Sequence, residues 1–255
     1  MPSSSHLPPA PKRPHRVRKR FGQHFLHERG VLHKILAAVA PAQDDFFVEI
    51  GPGEGALTEH LAGKVGTLEV IELDRDLASR VKANFSNVKV HCADALEFDF
   101  ASFPAGIRIV GNLPYNISTP LLFHLARYAK QVRDLHFMLQ LEVVERMVAA
   151  PSTPAYGRLS VALQARFAMK KLFKVAKGAF RPPPKVESAL VRMEPLDWQL
   201  PIDEDLLRRA FSARRKTLRN ALPEIDFEAA GIDPKLRPEN LSPEDYARLS
   251  MNSIL

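Results

Sequence analysis

The residues best placed to do chemistry stand where short apolar runs end. The run FFVEI at 46–50 leads into Gly51-Pro52-Gly53-Glu54-Gly55. A glycine turn there lets a ligand approach the backbone closely, beside the first amides of the helix that follows. Glu72 stands near the end of the run 67–74, twenty-one residues after Gly51, where a carboxylate can grip ribose hydroxyls. Asp94 closes the run 88–94 and can accept a hydrogen bond from an adenine amino group. The fourth run, 107–112, ends in Gly111-Asn112-Leu113-Pro114-Tyr115-Asn116. It offers a carboxamide, a backbone step stiffened by proline, and a ring on which a base can stack. Each group alone has an ordinary explanation in turns or helix dipoles. Their succession at consecutive run ends favours one shared crevice.

Such groups need a parallel sheet to hold them. Helix-like pieces at 56–63 and 75–84 separate the four runs, which is a βαβ rhythm. A helix over 28–40 precedes them; a helix over 119–130, a strand over 135–141 and helices over 142–150 and 158–168 follow. Strands at 171–177 and 188–195 bracket the Pro-rich FRPPPKV, compatible with a hairpin bearing an elaborated loop. From about 201 the pattern turns helical, with Ser242 at an N-cap. The expected fold is α/β: a Rossmann-like domain over 20–200, then a small all-helical domain over 201–255 that must pack on the first because it is small. GPGEG departs from the dinucleotide spacing GxGxxG, and no substrate domain for hydride transfer follows. S-adenosyl-L-methionine is favoured over a nicotinamide.

Charge is segregated. The formal total is +7, from 36 Lys and Arg against 29 Asp and Glu. Residues 1–20 hold six bases and no acid, 44–76 hold nine acids against two bases, and 158–220 hold fifteen bases against six acids. A basic band beside an acidic segment suggests a polyanion on one face and a differently charged pocket elsewhere. With 45% hydrophobic residues the chain is not disordered throughout. Cys92 is the single cysteine, so neither an intramolecular disulfide nor a multi-thiolate metal site is available, and a reducing compartment fits. No run of eighteen apolar residues suggests a membrane span. The tail at 1–19 lacks the apolar core of a secretory signal, and its prolines favour a disordered basic arm over a transit peptide.

Asn112-Leu113-Pro114-Tyr115 resembles the [Asn/Asp/Ser]-Pro-Pro-Tyr motif of amino-group methyltransferases. That resemblance implies that the Asn112 side-chain oxygen and a backbone carbonyl of the Leu113-Pro114 step hold both N–H groups of an exocyclic adenine nitrogen. The lone pair then turns toward the incoming methyl, and no strong base is needed. RFGQHFL (20–26), VEIGPGEGALT (48–58), VIELD (70–74), GNLPYNIST (111–119), HFMLQLEVVERM (136–147), YGRLSV (156–161), FRPPPKVESA (180–189) and FSARRKTLRN (211–220) together are similar to the small-subunit ribosomal RNA adenine dimethyltransferases. The family implies dimethylation at N6 of two adjacent adenosines near the 3′ end of 16S-type RNA, within an immature small subunit. It further implies a cytoplasmic monomer that uses no metal. Cofactor contacts are implied at His24, Leu26, Gly51, Gly53, Glu72, Asp94 and Asn112, with Leu113 and Pro114 shaping the transfer site and Tyr115 and Phe180 stacking on the base. Many members have Asn where this chain has His24.

The resemblance also gives the basic band a use. Arg181, Lys185, Arg214, Arg215, Lys216 and Arg219 are expected on RNA phosphates, whereas Arg208 and Arg209 read as a solvated helix face. Three rivals stand beside this reading. A related class modifies large-subunit RNA and confers antibiotic resistance. Non-catalytic methyltransferase-like transcription or assembly factors need no intact transfer site. A small-molecule methyltransferase would leave the basic band without a function.

Overall fold

The computed structural model describes residues 23–252; the basic tail expected over 1–19 lies outside them. The four leading runs form β2 (Phe46–Ile50), β3 (Thr67–Ile71), β4 (Lys89–His91) and β5 (Ile107–Asn112), joined by β6 (Val132–Gln140), all parallel. Val48, Phe47, Val70 and Ile109 are fully buried, as strands covered on both faces require. The sheet continues through β9 (Ser188–Pro195) and β7 (Phe167–Val175), both paired antiparallel, to give the order β4-β3-β2-β5-β6-β9-β7. The expected strand pair is therefore present, but β7 starts at 167 and β6 at 132, earlier than their apolar patterns indicated. Exposed Lys170 and Lys174 obscure the apolar signal of β7, and charges of this kind are what blunts an edge strand.

From β2 the chain runs outward through β3 and β4, then resumes on the other side at β5 and β6. The crevice at the carboxyl ends of β2 and β5 is thus the point where strand order reverses, the place where open α/β sheets bind ligands. The helices α1 (Arg29–Val39), α2 (Thr58–Leu61), α3 (Arg75–Asn84), α4 (Ser118–Ala126), α5 (Leu141–Met147) and α6 (Arg158–Gln164) accompany the strands. One core contains Ile50, Ile109, Leu121 and Phe137, the other Ile35, Phe47, Val110 and Met138.

Two features lay beyond the sequence patterns. Phe25–Leu26 (β1) and Phe180–Arg181 (β8) form a separate two-stranded sheet, with Phe25 opposite Arg181. At the far end of the main sheet, buried Arg108 donates to Asp45 (2.6 Å), to Asp134 (3.1 Å) and to the Val39 carbonyl (2.6 Å). Its guanidinium also lies over the Phe47 ring. These partners come from the α1 end, the segment before β2, and β6, so one cation clasps three pieces of chain.

The C-terminal segment holds α7 (Glu204–Ser212), α8 (Leu218–Ala221), α9 (Phe227–Ala230) and α10 (Pro243–Met251). Leu206, Leu207, Leu218, Leu222 and Leu249 pack around Tyr156, Val161 and Ala162, which belong to α6 and the loop before it. The Tyr156 hydroxyl donates to the Leu241 carbonyl at 2.8 Å. Ser242 caps α10 by accepting from the Asp245 N–H, while the Asp245 carboxylate accepts from the Ser242 N–H.

Candidate active site at the strand crossover

The crevice is assembled by an unusually close approach of two strands. Gly111 stands opposite Ile50, and a Cβ at Gly111 would lie 2.5 Å from the Ile50 carbonyl oxygen. Glycine is required there, and the next residues of the two strands, Gly51 and Asn112, are brought side by side. Gly51 and Gly53 have φ of +67° and +58°, values that favour glycine. Below them a cavity of about 160 Å³, partly open to solvent, is lined by His24, Leu26, Gly51, Gly53, Glu72, Asp94, Asn112, Leu113, Pro114 and Tyr115. Of the expected cofactor and transfer residues, all but Phe180 thus meet in one space.

Glu72 is buried, its carboxylate accepting from the Gly53 N–H at 3.2 Å and the Asp74 N–H at 2.9 Å. Burial raises its pKa, opposed by those two bonds. The helix cap of α3 is Asp74, not Glu72, so the dipole explanation does not account for Glu72. Asp94 is half-buried, and one oxygen accepts from the Leu96 N–H at 2.9 Å; for this residue a structural use coexists with the cavity position.

Asn112 is tied by its own amide, since Nδ2 donates to the His24 carbonyl at 2.7 Å. That bond orients the carboxamide and leaves Oδ1 as its accepting atom. The Pro114 carbonyl already accepts from the Ile117 N–H at 3.2 Å, so of the two carbonyls in this step the Leu113 carbonyl is the one to consider. The Tyr115 hydroxyl is hydrogen-bonded to Ser188 Oγ at 2.6 Å and its ring sits 5.4 Å from that of His24, so the aromatic face is fixed. The His24 ring donates from Nδ1 to the Pro182 carbonyl at 2.7 Å. His24 therefore serves the site through its backbone carbonyl, and the ring locks the N-terminal segment to the Pro-rich loop.

Phe180 is a correction. It is 2% exposed, packs with Leu26, Val175 and Leu190, and does not line the cavity. β8 pairs it with Leu26, so its ring is held in the core and offers no open face to a base.

Glu49, the only acid within FFVEI, is a further residue of the site that the strand-end motifs do not include. It lines the same cavity at 1% exposure, and Thr58 Oγ1 donates to it at 2.6 Å. Burial pushes its carboxyl up to about 7, the Thr58 bond opposing and neighbouring Glu72 adding repulsion. A single carboxylate inside a fully buried strand was the available signal. Among the described residues, no Lys or Arg lines the cavity. Carboxyl groups at Glu49, Glu72 and Asp94 with a glycine cradle suit a cationic, ribose-bearing ligand.

The basic residues divide. Arg181 and Lys185 are exposed, and Arg181 lies opposite Phe25, which lines the cavity. Arg215, Lys216 and Arg219 are exposed, in and beside the turn between α7 and α8. Arg214 does not join them: it is half-buried, 3.6 Å from the Glu239 carboxylate, and donates to the Pro154 carbonyl. The helical pattern expected from about 201 is interrupted here, since α7 ends at Ser212 and α8 begins at Leu218. Arg208 and Arg209 pair with Asp205 and Glu224, consistent with a solvated, ion-paired face.

Residues 14–253 match a family model described as Ribosomal RNA adenine dimethylase. The protein "Ribosomal RNA small subunit methyltransferase A" of Aromatoleum aromaticum is 54% identical over 248 residues, covering 92% of this chain and 94% of the relative. Its namesake in Pseudomonas aeruginosa is 50% identical over 254 residues, with the same coverages. Among solved structures, a dimethyladenosine transferase from Plasmodium falciparum has a TM-score of 0.76 at 27% identity, covering 89% of this chain and 96% of its own. The 23S rRNA methyltransferase ErmE has a TM-score of 0.66 at 25% identity, covering 91% and 100%.

Proposed function

The chain belongs to the ribosomal RNA adenine dimethylase family, and from that premise we propose how its own residues carry out the reaction. It is an enzyme that dimethylates adenine in ribosomal RNA. The cofactor we assign is S-adenosyl-L-methionine, which supplies an electrophilic methyl group on a sulfonium. Glu72 holds the ribose hydroxyls, Asp94 the adenine amino group, and Gly51 and Gly53 leave the backbone open to close approach, with Leu26 as apolar wall. Buried carboxyl groups, with no Lys or Arg among the described residues that line the cavity, favour the positive charge.

At the transfer site, Asn112 Oδ1 and the Leu113 carbonyl accept the two N–H groups of the target N6. Tyr115 stacks on the extruded base, a contact worth about 1–3 kcal/mol. An exocyclic adenine nitrogen is a poor nucleophile because its lone pair is delocalised into the ring. The two acceptors turn that lone pair out of conjugation and toward the methyl, and the amine becomes acidic as the bond forms. Orientation and fixed dipoles supply the rate, and no strong base is needed. The observation that carries this reading is the Asn112 Nδ2 bond to the His24 carbonyl, which leaves the oxygen as the accepting atom.

The substrate we assign is a pair of adjacent adenosines near the 3′ end of small-subunit RNA, within an immature subunit, receiving four methyl groups in all. The small-subunit relatives match at about twice the identity of the large-subunit enzyme, which favours this over the antibiotic-resistance class. The domain of residues 20–200 performs transfer. Residues 201–255 dock RNA through Arg215, Lys216 and Arg219, and Arg181 and Lys185 contribute from the Pro-rich loop. A cytoplasmic monomer fits; among the described residues no helix is long and apolar enough to cross a membrane. Replacing Asn112 by Ala tests the assignment: transfer should fall by about 10²–10³-fold or more while cofactor binding stays measurable, and an unchanged rate would refute the role.

A further inference from the structure

Trp198 is the chain's one tryptophan and is 79% exposed, yet the loop that carries it is not loose. The Leu196 N–H donates to the Arg166 carbonyl at 2.9 Å, and the Leu200 N–H to the Ala165 carbonyl at 3.0 Å. Bonds on both sides pin the backbone of the loop that presents the indole to solvent. A single exposed aromatic residue is ordinary on a surface. What lies beside it is not.

Gln199 and Leu200, the next two residues, line a cleft together with Arg127, Lys130 and Arg166. Arg127 follows α4, Lys130 precedes β6 and Arg166 precedes β7, so three separate pieces of chain bring their cations to one place. Among the described residues, no carboxylate pairs with any of the three. The carboxylate in the cleft lining, Asp203, is occupied as the cap of α7, accepting from Asp205 and Leu206. Asp197, beside Trp198, is exposed to solvent.

The cleft stands at the opposite end of the sheet from Asn112. β6 and β7 begin there and β9 ends there, whereas Asn112 is at the carboxyl end of β5, which runs parallel to β6. β6 has nine residues, about 30 Å at the usual rise. The loop that carries this exposed ring also lines the cleft of three cations through Gln199 and Leu200, and the pair of features matches the needs of unpaired nucleotides: a base for the ring, phosphates for the guanidinium and ammonium groups. An acidic peptide would use the cations and leave the ring without a partner.

We propose that Trp198 with Arg127, Lys130 and Arg166 binds a single-stranded RNA segment, one base stacked on the indole and flanking phosphates in the cleft. This second anchor rests on the reading of RNA as substrate and deepens it: the substrate must be a folded RNA large enough to reach both ends of the sheet.

Because Trp198 is the only tryptophan, its emission reports this site alone. The test titrates short oligoadenylate into the full chain carrying Arg215→Ala, Lys216→Ala and Arg219→Ala, which removes the competing basic turn. Saturable quenching is expected, with log affinity falling against log salt at a slope of about −2 for three phosphate contacts. Arg166→Ala should make that slope shallower by about 0.7. Trp198→Ala should weaken binding of labelled oligoadenylate about five- to hundred-fold in anisotropy. Binding without any change in Trp198 emission would overturn the proposal, as would no binding at low salt, or equal quenching by an oligoglutamate peptide. Methyl transfer to immature small subunits by the unaltered chain is measured in parallel. Its absence would refute the RNA-methylating reading itself, whereas transfer with a silent Trp198 would refute only this anchor.

Discussion

Gly111→Ala is the substitution that asks most directly whether strand approach builds the site. The added Cβ would sit 2.5 Å from the Ile50 carbonyl oxygen, where ordinary contact begins at 3.4 Å. Both atoms belong to backbone or its immediate substituent, so no flexible side-chain end can yield. Relief requires the ends of β2 and β5 to separate by about 0.9 Å. Glu72, Asp94 and the glycine turn lie on the β2 side of that gap and Asn112 on the other, so acceptors and cofactor cradle move apart while the cradle itself stays whole. A misplacement of about 1 Å can cost about 10²-fold in rate, near 2.7 kcal/mol of barrier. Overpacking adds a stability loss of about 1–3 kcal/mol, which in a chain of this size lowers Tm by about 2–4 °C per kcal/mol. Single-turnover methyl transfer, calorimetric cofactor affinity and thermal melting should be read on the same protein at a temperature well below its melting point. The expected pattern is a large fall in transfer with a small change in cofactor affinity. A variant that melts like the parent and transfers at the parent rate would refute the account of close approach.

Three further outcomes follow from the same geometry. Glu72→Gln should weaken cofactor binding about 10–100-fold in calorimetry, because an amide cannot accept from both the Gly53 and Asp74 N–H groups and also receive ribose hydroxyls. Glu49, with its carboxyl raised to about 7, binds its proton more tightly folded than unfolded. Its contribution to stability is therefore full below about pH 4.5 and is lost as pH rises through about 7, a swing of about 3 kcal/mol at most. Melting of Glu49→Gln across that range should lack this component, and a pH profile identical to the parent would contradict the raised, buried carboxyl of Glu49. Replacing Arg215, Lys216 and Arg219 with Ala should reduce the salt dependence of RNA binding by about 0.7–0.9 log units per contact while leaving cofactor affinity unchanged; an unaltered slope would remove this turn from the RNA surface.

Much of the site was legible because its groups sit at strand ends, and buried parallel strands announce themselves as apolar runs. Glu72, Asp94 and Asn112 could be placed by counting to those ends. Phe180 could not: a ring beside a Pro-rich loop reads alike whether it faces a ligand or the core, and only the pairing of β8 with β1 decides it. Those strands are two residues each, too short for any periodicity to reveal. The Arg108 clasp joins Asp45 and Asp134, sixty-three and twenty-six residues away, and long-range ion pairs leave no local pattern. Arg214 looked equivalent to its basic neighbours, but its contacts with Pro154 and Glu239 depend on how the C-terminal helices pack. Glu49 stands inside a strand and not at its end, so counting to strand ends does not reach it, although a lone acid in an apolar run is itself a signal.

The central claim is that Asn112 and its neighbours present adenine N6 of small-subunit ribosomal RNA for double methylation. Immature small subunits should be incubated with the chain and isotopically labelled S-adenosyl-L-methionine, the RNA digested, and the labelled nucleosides identified and mapped. The account predicts N6,N6-dimethyladenosine at two adjacent positions near the 3′ end of the small-subunit RNA, and none with Asn112→Ala. Label on large-subunit RNA, on another atom, or on no nucleotide at all would contradict it.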